Sequence, residues 1–297
     1  MELRQLRYFV VLAEELHFGR AADRLFITTP TLSQQLKVLE RELGTPLVQR
    51  GRRTELTPAG AALLVSGREV LRAADEAVRS ARRAGGVDAP RLRLGLVNGA
   101  PPWLPIRLGE LAETTVPGAR TVLISGTTTE QAQALAAGTV DLALLRAPVR
   151  LPAAFAQRPV AAEELGILMA ATHPLAARPA LAAGDLGDHE LILFPRDVAP
   201  GLHDSLLGEL HGRGLRMRLS DSVLGHAQMV SVLPSRNDAV GLSSARAGRP
   251  GLVWRALPGD PLIVTYIAAW ARDSRHPVVR AVLDTLPAGG LTGPLDS

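Results

Sequence analysis

The sequence predicts an all-α winged helix-turn-helix domain, a long linker helix, and then a two-lobed α/β domain. Three observations predict it. Leu32, Leu36, Leu39 and Leu43 recur at helical spacing within the stretch FGRAADRLFITTPTLSQQLKVLEREL, residues 18–43. Past the first turn, residues 58–83 hold no internal helix breaker except Gly67. From Arg91 the apolar period drops to two, with Leu92, Leu94 and Leu96 alternating.

The first helix is expected from about Leu3 to His17, with Leu6, Phe9, Val10, Ala13 and Leu16 inward. A second begins near Phe18, and its small Ala21 and Ala22 let the next helix cross closely. The third opens at Thr29-Pro30, with Thr29 as N-cap and Pro30 at the first helical position. Thr31, Gln34, Gln35 and Val38 face away from its leucine stripe. Short hydroxyl and amide side chains suit the edges of bases in a major groove, so double-stranded DNA is the expected partner. Gly44 closes that helix. Leu47-Val48 and Thr54-Glu55-Leu56 then flank Arg50, Gly51, Arg52 and Arg53 as a β-hairpin wing. These arginines either reach phosphates or form a solvated charged loop.

The charge distribution agrees with the DNA reading. Residues 1–86 hold 14 Lys+Arg against 10 Asp+Glu, which accounts for the whole net charge of +4, while residues 87–297 hold 19 of each. A chain of 297 residues that is 46% hydrophobic can bury two or three domain cores. The longest apolar candidate, residues 262–271, is too short to cross a bilayer. The charged N-terminal stretch does not resemble a secretion signal. There are no cysteines, so disulfides and thiol chemistry are excluded. A cytoplasmic protein with no membrane partner is expected, with no cofactor and no metal site.

In the long helix Leu64, Leu71 and Val78 lie seven apart, with Ala74 and Ala81 three after Leu71 and Val78, a short seam for a second helix. Packing on its own domain is the alternative. Gly85, Gly86 and Pro90 mark a hinge. Beyond it, strands are expected at Leu92–Leu96, Thr121–Ser125, Val140–Leu145, Gly166–Ala170, Leu191–Phe194, Leu215–Leu219 and Ala239–Leu242, with a helix at Glu130–Ala137. This alternation predicts parallel βαβ units. Ligands of such sheets sit at the carboxyl ends of strands. The loops Asn98-Gly99-Ala100, Ser125-Gly126-Thr127-Thr128 and Phe194-Pro195-Arg196 qualify and would suit a small anion. At least one of the threonines also serves as a cap, and Arg196 is equally well read as a surface arginine.

The segments F-x-x-x-A-E-x-x-x-F at residues 9–18, A-A-x-R-L at 21–25, P-x-L-S-Q-Q-L at 30–36, L-E-x-E-L-G at 39–44 and L-T-P-A-G at 56–60 together resemble LysR-type transcriptional regulators. GTTTEQAQALAAGTVDLALLRAP, RLRLGLV and LILFPRDVAPGLHDSLL look like their effector domains. The resemblance implies major-groove contacts from Thr29, Pro30, Thr31, Ser33, Gln34 and Gln35, with Thr28 in the same turn. Lys37, Arg50, Arg52 and Arg53 would lie toward the backbone.

It also implies a homodimer or homotetramer paired through the linker helix, and RNA polymerase as a further partner. The effector domain would be periplasmic-binding-protein-like, with crossover strands near Val160 and Thr265. It would take an aromatic or dicarboxylic acid through Thr127, near Arg146, Pro195 and Arg196. The expected domains are 1–58 for DNA, 59–88 for the linker helix and hinge, and 89–297 for the effector. Lobe I takes 89–160 and 266–297, and lobe II takes 161–265.

Three features depart from the family pattern. Threonine stands at position 29 where the family has glutamine, residues 98–101 read Asn-Gly-Ala-Pro, and Pro234 and Arg236 replace small residues. They leave open an effector-independent regulator with a degenerate cleft. Other classes find less support. There is no G-x-S-x-G, H-E-x-x-H or P-loop, and the seven histidines lack metal-ligand spacing. A secreted solute-binding protein would not carry the N-terminal module.

Overall fold

A computed structural model describes residues 1–50, 54–85, 89–187, 189–221 and 225–292. The chain forms two compact units, Met1–Asp88 and Ala89–Ser297.

In the first unit, α1 (Leu3–Glu15), α2 (Phe18–Arg24) and α3 (Thr29–Leu43) enclose Leu6, Phe9, Leu12, Ala21, Leu32, Leu36 and Leu39, all 2% exposed or less. This is the predicted stripe with its ends trimmed. Leu16 adopts a left-handed conformation (φ 46°) as the C-cap of α1 and is exposed, and Leu43 is exposed in the last turn of α3. Gly44 (φ 70°) ends α3, as a residue without Cβ does most readily.

The wing strands β1 (Val48–Arg50) and β2 (Thr54–Leu56) pair antiparallel, Val48 opposite Leu56. Their base is tied to the third helix, because Glu40 Oε1 accepts from the Leu47 amide at 2.8 Å. Arg52 and Arg53 lie outside the described residues, as does the side chain of Arg50.

Helix α4 (Pro58–Ala84) starts under the wing. Thr57 donates to the Pro46 carbonyl at 2.7 Å and accepts from the Gly60 amide at 3.0 Å. A Cβ on Gly60 would overlap the Leu47 carbonyl oxygen, so only glycine fits there. Gly67 is likewise a site of close approach, since a Cβ there would lie 2.8 Å from Leu6 Cδ1. The predicted seam divides. Leu64 and Leu71 pack on the domain's own core, while Val78 is exposed with Val65 and Val70.

In the second unit, β3 (Arg91–Val97), α5 (Trp103–Thr115), β4 (Arg120–Gly126), α6 (Thr128–Ala136) and β5 (Leu142–Arg146) form a parallel βαβαβ array. Arg93 and Asp141 clamp it. The Arg93 amide and Nε donate to Asp141 Oδ2 at 2.9 and 3.0 Å. Burial raises the Asp141 pKa, but the Arg93 hydrogen bonds, with His276 and Arg93 charges, outweigh it and hold it below the ordinary value.

The chain then runs through β6 (Phe155–Ala170), β7 (Glu190–Ile192), α7 (Pro200–Gly212), β8 (Arg218–Leu219), α8 (His226–Val232), β9 (Ala239–Ser244), β10 (Leu252–Ala256), β11 (Leu262–Ala271) and α9 (Pro277–Thr285). The described strands form one sheet in the order β4-β3-β5-β11-β6-β9-β7-β8, with β10 beside β6. Strands β7, β8 and β9 are parallel and make the second lobe. The long antiparallel pair β6 and β11 runs through both lobes, with a register shift between Tyr266 and Ile267. The expected strand at Leu215–Leu219 is only Arg218–Leu219, because Leu215 turns inward to the core (1% exposed) instead.

The departures near residue 234 are absorbed locally. Pro234 sits at the start of a 3-10 turn, Leu233–Ser235, where its missing N–H costs nothing. Arg236 makes a two-point bond to Asp238 at 2.7 and 3.0 Å and pairs with Glu190 at 3.3 Å.

Candidate DNA interface and effector cavity

The start of α3 corrects one expectation. Thr28, not Thr29, is the N-cap: its backbone is extended (φ −83°, ψ 149°) and its Oγ1 accepts from the Thr31 amide at 3.4 Å. Its hydroxyl also lies 2.8 Å from Thr31 Oγ1. Pro30 therefore occupies the second helical position. The first-turn amides have no partner within the helix, so proline is tolerated one place later than expected.

Thr28, Thr29, Pro30, Thr31, Gln34 and Lys37 are all exposed, and Ser33 and Gln35 are partly buried. They lie around the cap and first three turns of α3, off its buried leucine side. Phe26, in the turn ahead of it, is 96% exposed with a left-handed backbone (φ 55°).

In the second unit, a cavity of about 150 Å³ opens between the lobes. From lobe I come Asn98 and Gly99 at the end of β3, Thr127 at the start of α6, and Arg146 at the end of β5. From lobe II come Phe194, Leu202, Leu206, His226, Ser243 and Arg246, while Glu163 and Tyr266 project from β6 and β11.

Among the expected residues, Asn98, Gly99, Thr127, Arg146 and Phe194 therefore line one space. Ala100, Gly126, Thr128, Pro195 and Arg196 do not. Ala100 packs on the core, and Gly126 makes room for the Gln131 side chain, which would lie 2.8 Å from a Cβ there. Thr128 is 3% exposed on the inner side of α6. Arg196 points outward and grips Asp204 at 2.8 and 2.7 Å, which holds the Asp204 pKa at about 2.

Thr127 is the N-cap of α6. Its amide donates to Glu130 Oε2 at 2.7 Å and its hydroxyl oxygen accepts from the Glu130 amide at 3.1 Å. Both bonds leave the hydroxyl proton to donate. A neighbouring hydroxyl closes the cleft, as Thr129 on lobe I donates to the Asp197 carbonyl on lobe II at 2.6 Å.

The polar end of the cavity is dominated by residues that the sequence reading missed. Glu163 accepts from Tyr266 Oη at 2.7 Å and from Arg246 Nη2 at 2.9 Å, and a second bond joins Arg246 Nε to Glu163 Oε1. Burial alone would raise the Glu163 pKa, but the Arg246 and Tyr266 hydrogen bonds overcome it and hold the carboxylate ionised. The same removal from water pushes the Tyr266 hydroxyl upward. Arg146 donates from Nη2 to the Asn98 carbonyl at 2.8 Å and lies over the Tyr266 ring, 5.5 Å from its centroid.

His226 Nε2 sits 2.9 Å from Ser243 Oγ. Desolvation at the cavity wall, followed by the charges of Arg146 and Arg246, lowers its pKa. These residues are scattered over strands and helix starts without a shared motif. Only topology assembles them.

A helix-turn-helix with a wing, joined in one chain to a two-lobed binding domain, defines a DNA-binding regulator with a ligand-binding module. The chain matches the model of the bacterial regulatory helix-turn-helix protein, lysR family, over residues 3–61, and that of the LysR substrate binding domain over residues 85–289. It is 34% identical over 299 residues to the HTH-type transcriptional regulator IlvR of Caulobacter vibrioides, covering 98% of this chain and 99% of that one. It is 31% identical to the regulator BudR of Raoultella terrigena, covering 96% and 99%.

Among solved structures, that of CbnR, a LysR family transcriptional regulator, superposes with a TM-score of 0.63 at 26% identity, covering 96% of this chain and 97% of that one. Full-length CbnR complexed with its target DNA gives 0.62, covering 96% and 98%. The chain belongs to the LysR family of transcriptional regulators. It is a DNA-binding regulator, not an enzyme. No described helix is long and apolar enough to cross a membrane.

Proposed function

We propose that this regulator acts on promoter DNA in the cytoplasm as a homodimer or homotetramer and changes its action when a small anionic metabolite fills the cavity between its lobes. Residues 1–58 read DNA, 59–88 pair subunits, and 89–297 sense the metabolite. In the DNA-reading surface Thr29, Pro30, Ser33, Gln34 and Gln35 meet base edges, Thr28 and Thr31 shape the helix start, and Lys37, Arg50, Arg52 and Arg53 serve phosphates. The exposed Val65, Val70 and Val78 on α4 support its role in pairing. RNA polymerase is the further partner expected of a regulator that activates.

The observation that carries the sensing half is the cavity with Arg146 on its wall. It favours a working cleft over a degenerate one, since Pro234 and Arg236 disturb nothing that lines it. The test is a promoter fragment selected from genomic DNA by the full-length protein. Its affinity should fall steeply with salt, as phosphate contacts dictate, and should change when small carboxylates are added. Salt-independent binding would reject the DNA interface, and affinity indifferent to every small anion would reject the sensing half.

A further inference from the structure

The charge ledger of the cavity narrows what can occupy it. Its one carboxylate among the described lining residues, Glu163, is already taken by two bonds from Arg246 and one from Tyr266. Arg246 spends itself on Glu163 and, at 3.3 Å, on the Gly99 carbonyl. These two charges cancel. Arg146 is left as the excess cation, held by its bond to the Asn98 carbonyl and by Tyr266, with further N–H donors available. Hydroxyls of Thr127 and Ser243 lie in the same lining. Apart from His226 and Ser244, most of the remaining wall is apolar, built of residues such as Leu193, Phe194, Leu202, Leu206, Leu242 and Val264.

Resting on the reading of this cavity as the effector site, we infer that the effector is a small monocarboxylate with an apolar body, branched aliphatic or single-ring aromatic. Arg146 binds the carboxylate and the leucine-rich wall takes the body. A dicarboxylate would bury its second charge without a free cation, and unpaired charges are costly to bury. An amino acid would bring an ammonium to a cavity whose carboxylate is saturated. The low pKa of His226 agrees, since a neutral imidazole adds no second cation near neutral pH. The dicarboxylic acids allowed by the sequence are thereby set aside.

The test is calorimetric titration of the full-length protein at pH 7.5 with 4-methylpentanoate and benzoate, their primary amides, glutarate and leucine. One of the two acids should bind tighter than its amide, glutarate and leucine by about tenfold or more, the value of one charge-assisted hydrogen bond. R146Q should abolish the difference between acid and amide, and R146K should restore part of it. Tighter binding of glutarate or leucine overturns the inference while leaving a working effector site. Equal binding of acid and amide overturns the role of Arg146. Silence from the whole panel overturns both the class and the sensing function. Should R146Q not melt cooperatively, the wild-type comparison of acid with amide decides alone.

Discussion

Thr28 and Thr29 are adjacent, exposed and chemically identical, yet the helix start gives them separate tasks. Thr28 Oγ1 caps α3 by accepting from the Thr31 amide at 3.4 Å, whereas Thr29 occupies the first helical position. A bond of that length exceeds the usual 2.7–3.2 Å range, so Thr28→Ala should cost the lower part of the N-cap range, about 0.5–1 kcal/mol. That corresponds to a rise of roughly two- to fivefold in the opening equilibrium of the first turns of α3. Hydrogen–deuterium exchange of the full-length protein reads it directly, as faster exchange confined to the amides after position 30. Thr29→Ala should leave that exchange unchanged. It should instead weaken binding to a selected promoter fragment by about fivefold, the worth of about one neutral hydrogen bond. The reverse pattern, faster exchange in Thr29→Ala and none in Thr28→Ala, would refute the cap assignment and return Thr29 to the role that proline placement first suggests.

Other substitutions test other parts of the structure. Gln34→Ala should relax base discrimination at one operator position by ~1–3 kcal/mol, and unchanged ranking of operator variants in competition would reject that contact. Gly60→Ala, which forces a methyl onto the Leu47 carbonyl, should destabilise the first unit by about 1–3 kcal/mol in a urea titration, and an unaltered midpoint would show that wing and helix are not packed as described.

Thr127→Val removes both the cap of α6 and the cavity hydroxyl, so it should lose about 1 kcal/mol and the effector response together. Thr127→Ser should keep both, and a serine variant without a response would count against the hydroxyl. Asp141 has a folded pKa below its unfolded value, so its contribution to stability is present above the unfolded value and lost as pH falls through the folded one. Asp141→Asn should therefore cost about 3 kcal/mol at pH 7, with the gap to wild type closing only in acid below pH ~4. A gap independent of pH across that range would reject the Arg93 clamp.

The helical half of the molecule was largely legible because period and caps are local. Leu32, Leu36 and Leu39 declare the buried side of α3, and Gly44 declares its end. The placement of the N-cap was not legible, because Thr28, Thr29 and Thr31 offer the same hydroxyl and only backbone geometry chooses among them. The cavity was half legible. Loops at carboxyl ends of parallel strands are where ligands gather, and that rule supplied Asn98, Gly99, Thr127 and Phe194, while Arg146 came from the family resemblance. Glu163 and Tyr266 escaped that rule, since they lie within long crossover strands rather than at strand ends. His226 and Arg246 escaped for a different reason. Arg246 is one cation among many in an arginine-rich chain, His226 is one of seven scattered histidines, and neither stands in a motif. Arg196 shows the converse failure, a cation in a well-placed loop that Asp204, eight residues on, holds outside.

The location of Glu163 and Tyr266 bears on how occupancy could reach the rest of the domain. Strands β6 and β11 pass from one lobe to the other, and the bond between Tyr266 Oη and Glu163 links these neighbouring strands on the cavity wall beside their register shift. Arg246 extends that bond into lobe II, and Arg146, stacked on the Tyr266 ring, extends it into lobe I. An anion taken up by Arg146 draws on a guanidinium that already touches the side chain of a crossover strand. Any shift of Arg146 toward ligand alters its support of Tyr266, hence the Glu163–Arg246 pair and the closure at Gly99. Ligand chemistry and lobe geometry thus meet in four side chains. For this reason Glu163→Gln should uncouple them: Tyr266 keeps a hydrogen-bonding partner, but Arg246 loses its counter-charge and the cavity gains a net positive charge. Calorimetry should then show glutarate gaining affinity relative to a monocarboxylate, while the promoter-binding response to either ligand shrinks. An unchanged preference between mono- and dicarboxylate in Glu163→Gln would mean that the Glu163–Arg246 pair does not set the charge of the cavity.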